Sequence, residues 1–242
     1  MAFINIAVTN QSTVLTDTQV QSALPALQTQ IHRDFAPAWG IDANLVLLSK
    51  VTVPSASDWM LGIFDDTDQA GALGYHELSP SGTPLAKVFA KSDAQAGLSW
   101  TVTASHEALE MLGDPFIDLT VFDQSANSIG TLYAYEVCDA VESDSLGYSI
   151  GGTAVSDFVF PSWFEPNASS GVQFDYGKHA TKPLELLPGG YIGVFNVTAG
   201  SGWQQITSEG PTTPETFNGR VDSRLERRMT PKADWRKSNP RI

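Results

Sequence analysis

Three side chains able to bind or work beside a metal ion, His106, Glu107 and Glu110, stand in the segment Ser105 to Pro115 of a chain of 242 residues. An α-helix advances about 100° per residue, so residues i and i+4 share a face and residue i+1 stands beside them. His106 and Glu110 therefore form a two-donor clamp, with Glu107 next to it. In the related HExxH arrangement the two i,i+4 side chains hold zinc and the intervening Glu polarises the water bound there. Here the second donor is a carboxylate, so the pattern reads HExxE.

With 4 His in the chain, random placement yields roughly 0.01 such patterns, so composition does not account for it. The plain alternative is a surface i,i+4 pair, worth a few tenths of a kcal/mol. The neighbours oppose it. Trp100, Val102, Ala104, Ala108, Leu109, Met111 and Leu112 leave little polar circumference, which places this helix inside the fold. A carboxylate carried there is costly to ionise unless a cation compensates it.

A clamp of two side chains needs a further donor, and the segment Tyr135 to Glu142, with Glu136, Asp139 and Glu142, is the best source. SHExxExxxDP followed by ExxD resembles zincin-type metalloproteins of the HExxE variant. It is also similar to a segment of the plant exordium, or phosphate-induced, proteins and their bacterial, phage and fungal relatives. The resemblance covers roughly Trp100 to Glu142 and is one of motif. It implies a zincin-like fold, His106 and Glu110 as metal ligands, Glu107 as the base and Glu136 as third ligand. Asp139 is then an alternative ligand or the acceptor that orients the His106 ring. The relatives carry Cys two positions after that acid, whereas Cys138 precedes it here, so Cys138 reads as a buried, inert thiol.

One neutral imidazole and two carboxylates bring a dication close to neutrality and acidify its water less than two imidazoles and one carboxylate do. Zn²⁺ is the expected ion, and the oxygen-rich set also suits Ca²⁺ or Mn²⁺. Amide hydrolysis would use Glu107 as proton acceptor and later donor. Tyr133, Tyr135 and Tyr148 are the candidate oxyanion donors.

The elements that must hold these groups read as an α+β fold. Residues 2–9 alternate as a strand. From Thr16, an N-cap, Val20, Leu24, Leu27, Ile31 and Phe35 recur at helical spacing until Pro37 and Gly40, with Pro25 a potential kink. Strands follow at 44–53 and 59–64, giving a mixed sheet with a helix packed on one face. Asp65, Asp66 and Asp68 form an acidic turn in which a calcium site competes with simple exposure. Residues 84–90 read as an edge strand beside the metal; His76 could face the metal cleft, although a lone histidine is more often structural or surface. The metal helix spans about 98–113, closed by Gly113 and Pro115. Thereafter short strands and loops prevail, with 157–164 (DFVFPSWF) in the core.

The pattern gives one main domain over 1–216 and a basic helix with an extended tail over 217–242. The net charge of -13 is uneven, because the residues from Arg220 onward carry eight Lys or Arg against Asp222, Glu226 and Asp234. An acidic body is a poor nucleic-acid binder, while the basic end suits a protein partner or a neighbouring subunit. No run is long enough to span a membrane, no signal peptide is evident, and Cys138 has no partner for a disulfide. Two readings follow: a zinc-dependent metallopeptidase-like protein acting on a peptide or protein, or a structural or assembly protein, such as a virion component, on the same fold. Six Trp also admit a sugar-binding module. Nucleophile elbows, phosphate loops and dinucleotide fingerprints are absent.

Overall fold

The computed structural model describes residues 4–211 apart from 51, 53, 56, 70, 125–129, 170 and 198–201. The expected basic helix and tail at 217–242 lie outside the described residues. What is described is a mixed α+β architecture with two five-stranded sheets.

The first sheet contains β1 (Ile4–Asn10), β2 (Ala43–Leu48), β3 (Trp59–Phe64), β4 (Gly74–Leu78) and β5 (Pro84–Phe89), in the order β2-β1-β3-β5-β4. β1, β2, β3 and β5 run parallel, and β4 lies antiparallel to β5 at the sheet's end. Parallel neighbours need crossovers. The first is α1 (Asp17–Thr29), whose start was legible: Thr16 caps it and Gln19 reaches back in a capping box. Pro25 sits within α1, a π-helical turn (Gln30–Phe35) and the short α2 (Ala36–Trp39) continue it, and Gly40 closes it in the left-handed conformation (φ 70°).

The expectation of an edge strand at 84–90 is corrected. β5 lies between β3 and β4, and its alternate residues Ala86 and Val88 are fully buried. The terminal strand is β4, reached through a turn that returns the chain before β5.

After α3 (Ala90–Ala96) comes α4 (Trp100–Gly113), the helix that bears the motif. It is buried almost throughout, as its apolar circumference required. Thr101 Oγ1 donates to Ala154 O, and the Ser105 hydroxyl accepts Ser156 N–H at 2.7 Å. These bonds tie α4 to β9 (Thr153–Val155), which pairs with β8 (Tyr148–Ile150). Ile6, Val8, Leu27, Phe35, Leu61, Leu109, Met111 and Phe158 belong to the core formed here.

The second sheet is antiparallel: β6 (Thr120–Asp123), β7 (Thr131–Ala134), β10 (Tyr191–Asn196), β11 (Trp203–Thr207) and β12 (Gly210–Pro211), in the order β12-β11-β10-β7-β6. A second core lies beneath it, with Trp163, Phe164, Phe174 and Ile192. Trp39 packs against both cores and donates its indole N–H to Val159 O at 3.0 Å. The aromatic stretch 157–164 supplies Phe158, Val159, Trp163 and Phe164 to the interior, as expected. No described helix is long and apolar enough to cross a membrane.

Candidate metal centre

Glu110 stands at the middle of the site. Measured around the helix from His106, Glu110 lies about 40° on and Glu107 about 100° on, so Glu110 falls between the other two. Cys138 N–H donates to Glu110 Oε1 at 3.3 Å, which turns Oε2 towards the imidazoles. His106 Nε2 lies 3.4 Å from that Oε2 and 3.3 Å from Asp139 Oδ1. His106, Glu110 and Asp139 thus form one compact group.

Glu136 stands in a second group, with Glu110 and His76. All five of these donors, and Glu107, are buried. The four residues expected to bind metal are therefore close together, but in two sets that share Glu110. Asp139, the alternative ligand, is the one beside His106.

His76, for which the sequence favours a structural or surface place over one facing the cleft, is at the site. It is fully buried on β4, with Nδ1 3.6 Å from Glu110 Oε2 and 3.8 Å from Glu107 Oε2. A clue lay two residues earlier. In a strand, i and i+2 share a face, so Gly74 and His76 both look at α4. A Cβ on Gly74 would meet Thr103 Cγ2 at 2.7 Å and Glu107 Cγ at 2.8 Å. Glycine is what lets β4 come this close to the helix.

The Glu136-to-Asp139 segment is positioned by close packing. A Cβ on Gly113 would lie 2.7 Å from Val137 Cγ1, so the end of α4 and this segment touch directly. Asp114, of the Asp-Pro pair, is fully buried and accepts Asp118 N–H and Leu119 N–H at 3.1 and 3.2 Å, fixing the exit from the helix. Cys138 is buried and free, and burial pushes its thiol pKa up, which matches an inert thiol.

A cleft of about 780 Å³ opens on this cluster, lined by His106, Glu107, Glu110, Glu136 and Asp139 together with Gly74, Glu142 and Tyr191. The tyrosines expected to serve it are elsewhere. Tyr148 donates to Asp34 at 2.8 Å, Tyr135 stacks on Phe164, and Tyr133 packs in the second core. Tyr191, at the start of β10, takes their place on the cleft wall. Burial, with the charges of Asp139, Glu142, Glu110 and Glu107, pushes its phenol pKa well up. Nothing in the local sequence ties Tyr191 to a helix eighty positions away.

The electrostatics are those of carboxylates crowded out of water. Burial would lower His106, but Glu110 and Asp139 outweigh it and hold its pKa well above the ordinary value. Burial and then Glu110 push Asp139 well up, and burial pushes Glu142 to about 7. A tetrahedral zinc site with bonds of about 2.0–2.1 Å has ligand atoms about 3.3–3.4 Å apart. The two His106 distances have that length. Glu107 Oε2, Asp139 Oδ1 and both nitrogens of His76 are buried without a hydrogen-bond partner. Orphaned buried polar atoms of this kind, beside two donor groups, are what cations would satisfy.

Two other acidic groups have different roles. Asp65 of the acidic turn accepts Ser12 and Thr13, while Asp66 pairs with Lys91 and Asp68 with Lys87. Among the described residues this turn forms no metal-ligand group. Asp157, Asp175 and His179 do gather, with His179 Nδ1 3.1 and 3.3 Å from the two carboxylates. Those carboxylates also accept the backbone N–H groups of Phe158, Gly177, His179 and Ala180, so the group ties its own loop together.

No family model, curated protein or solved structure matches the chain.

Proposed function

We propose that the protein is a cation-dependent hydrolase of amide bonds, metallopeptidase-like and built on a zincin-like arrangement of sheet and helix. The reading rests chiefly on one observation: His106 Nε2 lies 3.4 Å from Glu110 Oε2 and 3.3 Å from Asp139 Oδ1, the edge length of a tetrahedral zinc site, and the three donors gather on the wall of the cleft. Zn²⁺ suits one imidazole and two carboxylates at this spacing; Mn²⁺ accepts the same donors, whereas Ca²⁺ favours about six to eight oxygens.

A dication held there supplies Lewis acidity to a substrate carbonyl and to water. The remaining work falls to the chain. Glu107, lining the cleft with one carboxylate oxygen unpartnered, takes the proton of the attacking water and passes it to the leaving amine. Tyr191 keeps its phenolic proton at neutral pH and can donate it in a hydrogen bond to the developing oxyanion. β4, terminal in its sheet and lining the cleft through Gly74 and Tyr75, offers an extended peptide a strand to run beside.

The test pairs metal analysis with a peptide-cleavage assay on the purified protein and on Glu107→Gln. Bound metal should be retained in the variant while hydrolysis falls by about 10²–10⁴-fold, the usual loss for a general base. Metal-free wild-type protein that takes up no dication, or a variant as active as wild type, would overturn the reading.

A further inference from the structure

His76 is not used by the cleft chemistry. It is a fully buried histidine whose two ring nitrogens lack hydrogen bonds and whose Nδ1 faces carboxylates at 3.6 and 3.8 Å, too far for a hydrogen bond. Nor does the single-ion reading use Glu136, which groups with His76 and Glu110. Glu110 Oε2 lies close to both histidines, 3.4 Å from His106 Nε2 and 3.6 Å from His76 Nδ1.

We infer that the centre holds two divalent cations bridged by Glu110. This rests on the reading of the cleft site and adds a second position to it. The outer ion takes His106, Glu110 and Asp139, on the wall of the cleft. The inner ion takes His76, Glu110 and Glu136, with Glu107 beside it. Ions sharing a bridging ligand stand about 3.5–4 Å apart, and Glu110 Oε2, within 3.6 Å of a ring nitrogen of each histidine, is placed to be that bridge.

Charge points the same way. Glu107, Glu110, Glu136 and Asp139 are four buried carboxylates against two imidazoles. One dication balances half of them, whereas two balance them all. The two positions also differ in access: all three donors of the outer set line the cleft, whereas the inner set joins Glu110 and Glu136, which line it too, to His76, which does not and is fully buried. A closed donor set is the mark of a structural ion and an open one of a catalytic ion. The inner ion would therefore clamp β4, α4 and the Glu136 segment together, and the outer one would meet substrate.

The experiment is a titration of metal-stripped wild-type protein with Co²⁺, followed by its visible absorption, and with Mn²⁺, followed by electron paramagnetic resonance. Two equivalents should bind, the Mn²⁺ form should show exchange coupling between neighbouring ions, and a chelator should remove one ion fast and the other at least tenfold more slowly. His76→Gln should bind a single equivalent without coupling. Saturation of the wild type at one equivalent, with His106→Ala abolishing binding, would remove the inner ion and leave the proposed hydrolase standing. Failure of wild-type protein to bind either metal would remove both.

Discussion

The backbone N–H of Cys138 donates to Glu110 Oε1 at 3.3 Å, while Oε2 of the same carboxylate faces His106 and His76 at 3.4 and 3.6 Å. Glu110→Gln retains an acceptor for Cys138 and loses the charge. Its circular dichroism should match wild type, while metal affinity should fall by more than the about 10–100-fold that follows loss of an outer-sphere partner. Unchanged metal content by elemental analysis would place the site elsewhere.

Gly74 meets α4 where no side chain fits, 2.7 Å from Thr103 and 2.8 Å from Glu107 for an added Cβ. Gly74→Ala should cost about 1–3 kcal/mol, the usual penalty for overpacking. Because the strain falls on Glu107, hydrolysis should drop beyond the loss of folded protein. Urea unfolding and activity per folded molecule separate the two effects.

Tyr191→Phe removes one hydroxyl from the cleft wall. If that hydroxyl binds the oxyanion, kcat should fall by about 10²–10³-fold with KM and metal content little changed. A fall confined to KM would make it a substrate-binding group instead.

Asp93 provides a pH signature outside the candidate donor groups. It is fully buried in α3, Thr103 Oγ1 donates to one of its oxygens at 2.8 Å, and the other oxygen has no partner. Burial pushes its pKa up to about 6, with Asp144 and Glu107 adding to the rise. An unfolded Asp titrates near about 3.9. The folded state binds this proton more tightly, so the stabilisation is complete below about pH 4 and is lost as pH rises through about 6. Asp93→Asn should be more stable than wild type by about 1–2 kcal/mol at pH 8, and the advantage should vanish at pH 4. Denaturant unfolding at the two pH values decides it; an equal difference at both would rule out the carboxyl as the cause.

Local periodicity was enough to read α4, the capped start of α1 and the strand β3, because each depends on neighbours within a few residues. That the Glu136-to-Asp139 segment comes to Glu110 was legible from the motif, but not which acid stands where: Asp139 is beside His106, and Glu136 groups with His76. Sheet order was not. Pro84–Phe89 alternates as an edge strand would, and only the return of Gly74–Leu78 outside it makes it interior. His76 and Tyr191 owe their places to that order and to the docking of the second sheet, contacts spanning tens of residues that leave no trace in local spacing. The glycine two positions before His76 was the one available sign.

The donors arrive in chain order, His76 on β4, then His106 and Glu110 on α4, then Glu136 and Asp139. During synthesis, a nascent chain that ends at Gly113 already contains both imidazoles but lacks two of the gathered acids. Both proposed cation sites are therefore complete only once the second half of the polypeptide has been made. On the proposed reading the late-arriving segment would act as a latch, joining completion of the fold to acquisition of a metal.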